Sequence, residues 1–96
     1  MGEDELEILG KRISESARAG RVDMEQPHCK RRMRERQITA REIRYALVNP
    51  MKVARSRPDQ YSDWTVEGPD LDGAMLTVAV RIDGGRGAWL TVVTVY

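Results

Sequence analysis

The sequence predicts an α+β domain in which helices pack on one side of a small antiparallel sheet. In the first half of the chain, apolar residues recur at three- and four-residue steps, as they do on helices. In the second half they alternate with polar residues, as they do on strands. A chain of 96 residues can bury one core. We therefore expect a single domain over residues 1–96, with the element order α-β-α-α-β-β-β.

The first half predicts three helices and one short strand. A stripe of apolar side chains marks a helix over 4–19, and Gly20 is a typical helix stop. Alternation in 21–25 predicts a short strand. Pro27 suits the first turn of a second helix, which is very basic.

The third helix has clear signals at both ends. Thr39 and Glu42 have the spacing of a capping box, so this helix should start at about residue 40. Asn49 and Pro50 end it, because the residue before a proline is pushed out of the helical conformation.

From residue 51 onward the apolar residues recur with a period of two. Four segments are strand candidates: 51–57, 61–67, 75–82 and 89–96. The expected element order nevertheless contains only three strands after the helices. Turn-forming residues lie between them, at 58–60, 68–73 and 83–87. We expect the following residues to meet in the core: Met33, Ile43, Leu47, Leu76, Val78, Val80 and Ile82. The last strand is apolar on both faces, which predicts an internal position in the sheet.

Charge is distributed very unevenly along a chain whose net charge is +1. Residues 28–57 hold ten basic and two acidic residues, net +8, whereas 1–27 carry −3 and 58–96 carry −4. Such a basic segment suits a polyanion, because Lys and Arg displace its counterions. An acidic protein partner would suit the basic segment equally. The charged side chains could also serve only to keep the two helices soluble.

Several classes of protein are not expected. The chain has no apolar run of about 18 residues and begins with acidic residues, so we expect a cytoplasmic protein that does not bind membranes. A single cysteine and a single histidine argue against a disulfide and against a zinc site. The sequence has no glycine-rich phosphate loop, and we expect neither a cofactor nor a metal.

The most informative segment is 28–39. His28, Arg32 and Arg36 recur every four residues and therefore line up as a polar ridge on one face of a helix. A histidine among arginines could move a proton while the arginines hold a phosphate. Alternatively, the ridge braces the helix against the sheet, with His28 and Arg32 hydrogen-bonded to backbone or to an acidic residue.

These residues resemble a known family, the small bacterial proteins of "domain of unknown function 4258". The resemblance is carried by the following residues: His28, Cys29, Arg32, Met33, Arg36, Ile38, Thr39, Gly20 to Val22, Asn49, Pro50, 61–68 and Val93 to Tyr96. The family usually has glycine at the position of Gln37 and alanine at the position of Cys29. It is distantly similar to the RelE-like and BrnT-like toxins of toxin–antitoxin modules.

The resemblance implies a RelE-like fold and a toxin-like protein directed at RNA, a metal-independent mRNA interferase. Its partners would be RNA or the ribosome, and an antitoxin or other acidic protein. The catalytic candidates are His28, Arg32, Arg36, Arg81 and Tyr96, since basic residues and a late tyrosine line the RNA-binding face of RelE-like toxins. From their charge and position, RNA-binding candidates are Lys30, Arg31, Arg34, Arg41, Arg44, Arg55 and Arg57. The alternative is a non-catalytic module that docks a protein through its basic helices or a sheet edge.

The two tryptophans also have two interpretations. Trp64 and Trp89 both lie on predicted strands, where an aromatic side chain usually packs against its neighbours. An exposed tryptophan could instead stack on nucleic-acid bases.

Overall fold

The computed structural model describes residues 3–56, 62–83 and 88–96, and it confirms the α+β class. In chain order the elements are α1 (Glu3–Arg18), β1 (Val22–Asp23), α2 (Pro27–Arg36), α3 (Ala40–Val48), β2 (Lys52–Arg55), β3 (Trp64–Pro69), β4 (Met75–Asp83) and β5 (Trp89–Val95). None of the helices in these ranges is both long and apolar enough to cross a membrane.

The five strands form one mixed sheet in the order β1-β5-β4-β3-β2. The sheet departs from the expected antiparallel arrangement at one position, because β1 pairs parallel with β5 through Val22 and Leu90. A parallel neighbour requires a long crossover, and here the chain between β1 and β5 supplies it. Four strands follow α3, one more than the predicted order contained. The internal position predicted for the last strand is confirmed.

The boundaries of β3 differ from the prediction for a steric reason. Gly68 and Pro69, expected in a loop, pair with Leu76 and Met75 as the end of β3. A Cβ built on Gly68 would lie 2.9 Å from the Cα of Ala46, so α3 packs directly on the bare backbone of this strand. Parts of the predicted strands 51–57 and 61–67, and parts of the turns 58–60 and 83–87, lie outside the described residues.

Helices α1 and α3 pack against each other and bury their apolar side chains against one face of the sheet. As expected, Leu76, Val78 and Val80 lie in the core with Ile43 and Leu47. Met33 and Ile82 pack at its margin and are partly buried. Burying a large aliphatic side chain contributes about 1.5–3 kcal/mol, so these residues account for much of the stability of a domain this small.

A β-bulge in β5 decides which of its side chains enter the core. Val80 pairs with Val92 but Ala79 pairs with Thr94, so Val93 is an extra residue on β5. Because an extra residue reverses the alternation beyond it, Val95 points into the core and Tyr96 points to the other side. That other side, which we call the second face, carries Thr77, Ala79, Arg81 and Asp83 of β4, Trp89, Thr91 and Thr94 of β5, and Tyr96.

The junction between α2 and α3 combines a strained residue with a well-formed cap. Gln37 has the left-handed conformation, with φ 54° and ψ 43°, which glycine adopts without strain. The predicted capping box is confirmed, since the Glu42 amide donates to Thr39 Oγ1 at 3.1 Å and the Thr39 amide donates to Glu42 Oε1 at 3.1 Å.

Candidate nucleic-acid interface

A cavity of about 500 Å³ brings together two of the predicted site residues, His28 and Arg81. Gln26 and Val93 line it as well. His28 is in the first turn of α2, which packs on β5, and Arg81 is on β4, the antiparallel neighbour of β5. Val93 is the bulged residue, and bulges are common where a site needs a side chain redirected.

Arg81 has hydrogen-bonding capacity that its surroundings do not use. The residue is half-buried, and its Nε is buried without a partner among the described residues. Asp83 is on the same face of β4, but its carboxylate accepts a hydrogen bond from Thr91 Oγ1 at 3.0 Å instead. No ion pair to Arg81 is found in ranges 3–56, 62–83 and 88–96. No carboxylate of the described residues therefore neutralises the charge of Arg81, and an unneutralised guanidinium at a cavity attracts anionic ligands.

A second unsatisfied polar atom lies on the same sheet face. Thr94 Oγ1 is buried and has no hydrogen-bond partner in the described part of the chain. Thr94 pairs with Ala79, two residues before Arg81 on β4. Buried polar atoms in proteins are nearly always paired, so two unpartnered ones on the same sheet face are unusual.

His28 is exposed, and one of its ring nitrogens is already engaged. Arg31 Nη2 lies 2.7 Å from His28 Nδ1. Arginine can only donate, so Nδ1 must accept, and in the neutral ring the proton is on Nε2. Arg31 Nε also lies 3.7 Å from Glu35 Oε1. In this arrangement the exposed side chain of Arg31 covers the basic nitrogen of His28.

The other two residues of the ridge are not at the cavity. The Arg32 side chain is 34% exposed, and its Nη1 lies 3.7 Å from Glu35 of the same helix. Its Nε is buried without a partner in the described residues. Arg36 is exposed in the last turn of α2. In the described residues neither arginine forms a hydrogen bond to sheet backbone, and the acidic residue near Arg32 is Glu35 of its own helix.

The predicted RNA-binding residues separate into two groups. All five on the helices are exposed: Lys30, Arg31, Arg34, Arg41 and Arg44. Lys30 forms an ion pair with Glu25, which is also exposed. Arg55 is on β2, at the sheet edge opposite β1, and lies 5.1 Å from the ring centre of Trp64. Arg57 lies outside the described residues.

The two tryptophans have different environments. Trp64 is half-buried, packs against the core and is covered by Arg55. Trp89 is 52% exposed on the second face, where it lies next to Thr91 of β5 and Arg81 of β4, which pair in the sheet. Tyr96 is 39% exposed on the same face. Tyr96 does not line the cavity, and its amide donates to Thr77, four residues before Arg81 on β4.

Three carboxylates approach one another away from this site. Oxygen atoms of Glu42, Asp70 and Asp72 lie within 4.8 Å of each other. Glu42 caps α3, and Asp70 Oδ1 accepts hydrogen bonds from two amides of its own turn. Both residues thus have a local structural role, and we assign no metal to them.

Cys29, where the family usually has alanine, is fully buried on α2. Its Sγ lies 3.8 Å from Met33 Sδ. Burial raises the pKa of the thiol, and the negative charges of Asp23 and Glu25 raise it further. A thiol in this state is a weak nucleophile, so its role is in packing.

Sequence reasoning did not identify Gln26, Val93 or Thr94 as part of this surface. Gln26 precedes a helix and carries no motif. For Val93 there was a signal, because the adjacent Val92 and Val93 interrupt the alternation of the last strand. Such an interruption is typical of a bulge.

A family model described as "Domain of unknown function (DUF4258)" matches residues 26–96. The match begins at Gln26, one of the residues that line the cavity, and extends through Tyr96. No curated protein and no solved structure matches the chain.

Proposed function

Because the chain belongs to the DUF4258 family, whose matched region contains both His28 and Arg81, we propose that it is a cytoplasmic, toxin-like RNA-cleaving protein with a RelE-like fold. The observation that carries the proposal is the shared cavity of these two residues, which are far apart in sequence. An imidazole can move a proton and a guanidinium can stabilise the charge of a phosphate, so the two groups on one cavity suit phosphodiester cleavage.

The proposed reaction uses the RNA's own 2′-hydroxyl. His28 accepts the 2′-hydroxyl proton while the 2′-oxygen bonds to the adjacent phosphorus. The bond from phosphorus to the 5′-oxygen breaks, and the imidazolium returns its proton to that oxygen, leaving a 2′,3′-cyclic phosphate and a 5′-hydroxyl. Arg81 stabilises the charge that gathers on the phosphate oxygens. These steps involve no metal.

Arg31 must leave His28 before this proton transfer can occur, because it occupies Nδ1. An exposed arginine exchanges readily between a histidine and a phosphate, and the phosphate offers a bidentate, charge-assisted contact. We therefore propose that Arg31 exchanges, in the complex as well, between His28, where it covers the base, and a phosphate of the strand.

The remaining candidates would bind the strand at a distance from the cut. Tyr96 aligns with Thr77, roughly 13 Å along β4 from Arg81 at the usual strand rise. That separation supports contact with a neighbouring nucleotide and does not support proton transfer. The exposed basic residues of α2 and α3 provide further phosphate contacts.

The test is binding and cleavage of a single-stranded RNA by the whole protein and by His28→Ala. We expect weak binding with a log–log salt slope near roughly −4, as six phosphate contacts on a single strand would give. His28→Ala should bind with a similar slope and lose cleavage. If the wild-type protein binds no RNA even at low salt, the basic surface serves a protein partner, such as an antitoxin, and the RNA proposal is wrong.

A further inference from the structure

We infer that Trp89 is a stacking platform that holds an unpaired base beside the phosphate bound between His28 and Arg81. This inference rests on the proposed function and deepens it, since it specifies a single-stranded substrate with a base turned out toward the sheet. The residue is 52% exposed, although a tryptophan on a strand is usually packed.

The sheet register positions Trp89 for this role. Arg81 pairs with Thr91, and Trp89 lies two residues before Thr91 on the same face of β5. Arg81 and Trp89 are therefore diagonal neighbours, with side chains on the order of 7–8 Å apart. Asp83, which pairs with Trp89, is held by the Thr91 hydroxyl at 3.0 Å. Trp89 thus stands beside the unpaired guanidinium of Arg81.

The other tryptophan provides an internal comparison. The ring of Trp64 lies 5.1 Å from the Arg55 guanidinium carbon, whereas no cationic side chain of the described residues lies over Trp89. Among the described residues, a cation therefore covers the ring of Trp64 and none covers the ring of Trp89. Stacking of bases on an exposed aromatic ring is a common means of binding single strands, and it tolerates any base sequence.

The two tryptophans of the chain allow a direct test by fluorescence. In Trp64→Phe, Trp89 is the only tryptophan, and in Trp89→Phe, Trp64 is the only one. The probe is a short single-stranded oligonucleotide of 2′-deoxynucleotides, which cannot be cleaved through a 2′-hydroxyl. An abasic strand with the same number of phosphates is the control.

We expect the probe to quench the emission of Trp64→Phe and to leave that of Trp89→Phe nearly unchanged. The abasic strand should quench neither. Trp89→Ala should weaken binding of the probe roughly five- to a hundredfold, while Trp89→Phe retains most of it, because stacking on one aromatic residue contributes about 1–3 kcal/mol. A circular dichroism spectrum equal to that of the wild type would show that Trp89→Ala remains folded.

Two other outcomes would overturn the inference in distinguishable ways. If the wild-type protein binds the probe, but Trp89 emission and Trp89→Ala affinity do not change, stacking is wrong while nucleic-acid binding stands. If neither the probe nor the RNA of the previous test binds, the proposed function fails and the inference with it. In that case the exposed ring belongs to a protein-binding surface.

Discussion

Arg81 and Asp83 lie on the same face of β4, two residues apart, yet no ion pair joins them in the described structure. The Asp83 carboxylate instead accepts a hydrogen bond from Thr91, and Arg81 Nε is buried without a partner among the described residues. A folded domain rarely leaves such a group unpaired, because doing so costs about 1–3 kcal/mol. Buried polar atoms without hydrogen-bond partners are expected at ligand-binding sites, where function limits stability.

We therefore predict that Arg81→Met lowers RNA cleavage by about a hundredfold without lowering stability. Methionine keeps an apolar stem and removes the unpaired nitrogen, so the free energy of unfolding should stay within about 0.5 kcal/mol or rise. Loss of a group that stabilises developing charge typically costs 10²–10³ in rate, hence the estimate of about a hundredfold. Urea unfolding and a cleavage assay measure the two effects. A destabilised variant with normal cleavage would make Arg81 a structural residue.

Arg31→Ala should accelerate cleavage at saturating RNA and weaken binding. The substitution uncovers Nδ1 of His28, which now lies 2.7 Å from Arg31 Nη2, and removes one cation from the strand contacts. The salt slope of binding should therefore become shallower by about 0.7. Arg34→Ala is the matched control, since Arg34 is exposed on the same helix but does not touch His28. It should weaken binding alike and leave the rate at saturation unchanged.

Substitutions of Arg32 test whether the ridge of His28, Arg32 and Arg36 stabilises the fold or binds a ligand. Arg32→Met keeps the packed stem and removes the buried, unpartnered Nε, so we expect no loss of stability. Arg32→Ala also removes the stem and should cost about 1 kcal/mol. Thermal melting of both variants beside an RNA-binding titration tests this. If both variants melt far below the wild type, an unseen interaction of the guanidinium braces the helix.

Gln37→Gly should stabilise the domain by about 1 kcal/mol. The φ of 54° strains any residue with a Cβ by about 1–2 kcal/mol, and the greater freedom of glycine in the unfolded chain offsets part of the gain. Gln37→Ala, which keeps the Cβ, should bring no such gain. Chemical denaturation provides the comparison. Equal stability of Gln37→Gly and Gln37→Ala would show that the turn bears no strain.

We expect the burial of Cys29 to make the folded domain less stable in alkaline solution. Its thiol pKa is raised in the folded protein, mainly by burial, so the unfolded chain releases this proton first as the pH rises. The contribution of the thiol is therefore fully present below the unfolded pKa, near about 8.5, and is lost as the pH rises toward the folded value. The slope is at most about 1.4 kcal/mol per pH unit. Cys29→Ala should be less sensitive to pH than the wild type between about pH 8 and 10 in urea unfolding, because the other groups are common to both.

Local signals in the sequence were sufficient for the helices and the core face. Pro27, the Thr39 and Glu42 capping box and Asn49 act within a few residues, and each is at the helix end it predicted. The alternation from Leu76 to Val80 likewise identified the buried face of β4. These features could be predicted because they depend on neighbours along the chain.

The site depends on contacts between distant segments, which one sequence does not reveal. His28 and Arg81 were both candidates, but their spacing in the sequence did not indicate that they share a cavity. Nor did it indicate that Arg32 and Arg36 lie outside that cavity. That grouping requires the parallel β1 and the bulge at Val93. The greater length of β3 could not be predicted for the same reason, since Gly68 contacts Ala46 of α3, a residue distant in sequence.

The pairing of Val22 with Leu90 has a consequence for how the domain forms. The strand that pairs with β1 is β5, the last one in sequence, so β1 has no strand neighbour until nearly all of the described chain is available. Closing so long a loop is slow, and contacts of this kind delay folding. We expect the meander from β2 to β4 to fold ahead of β1 and β5. Until β5 pairs with β4 and β1, His28 and Arg81 would not share a cavity, so the proposed RNA cleavage would depend on the slowest contacts of the fold.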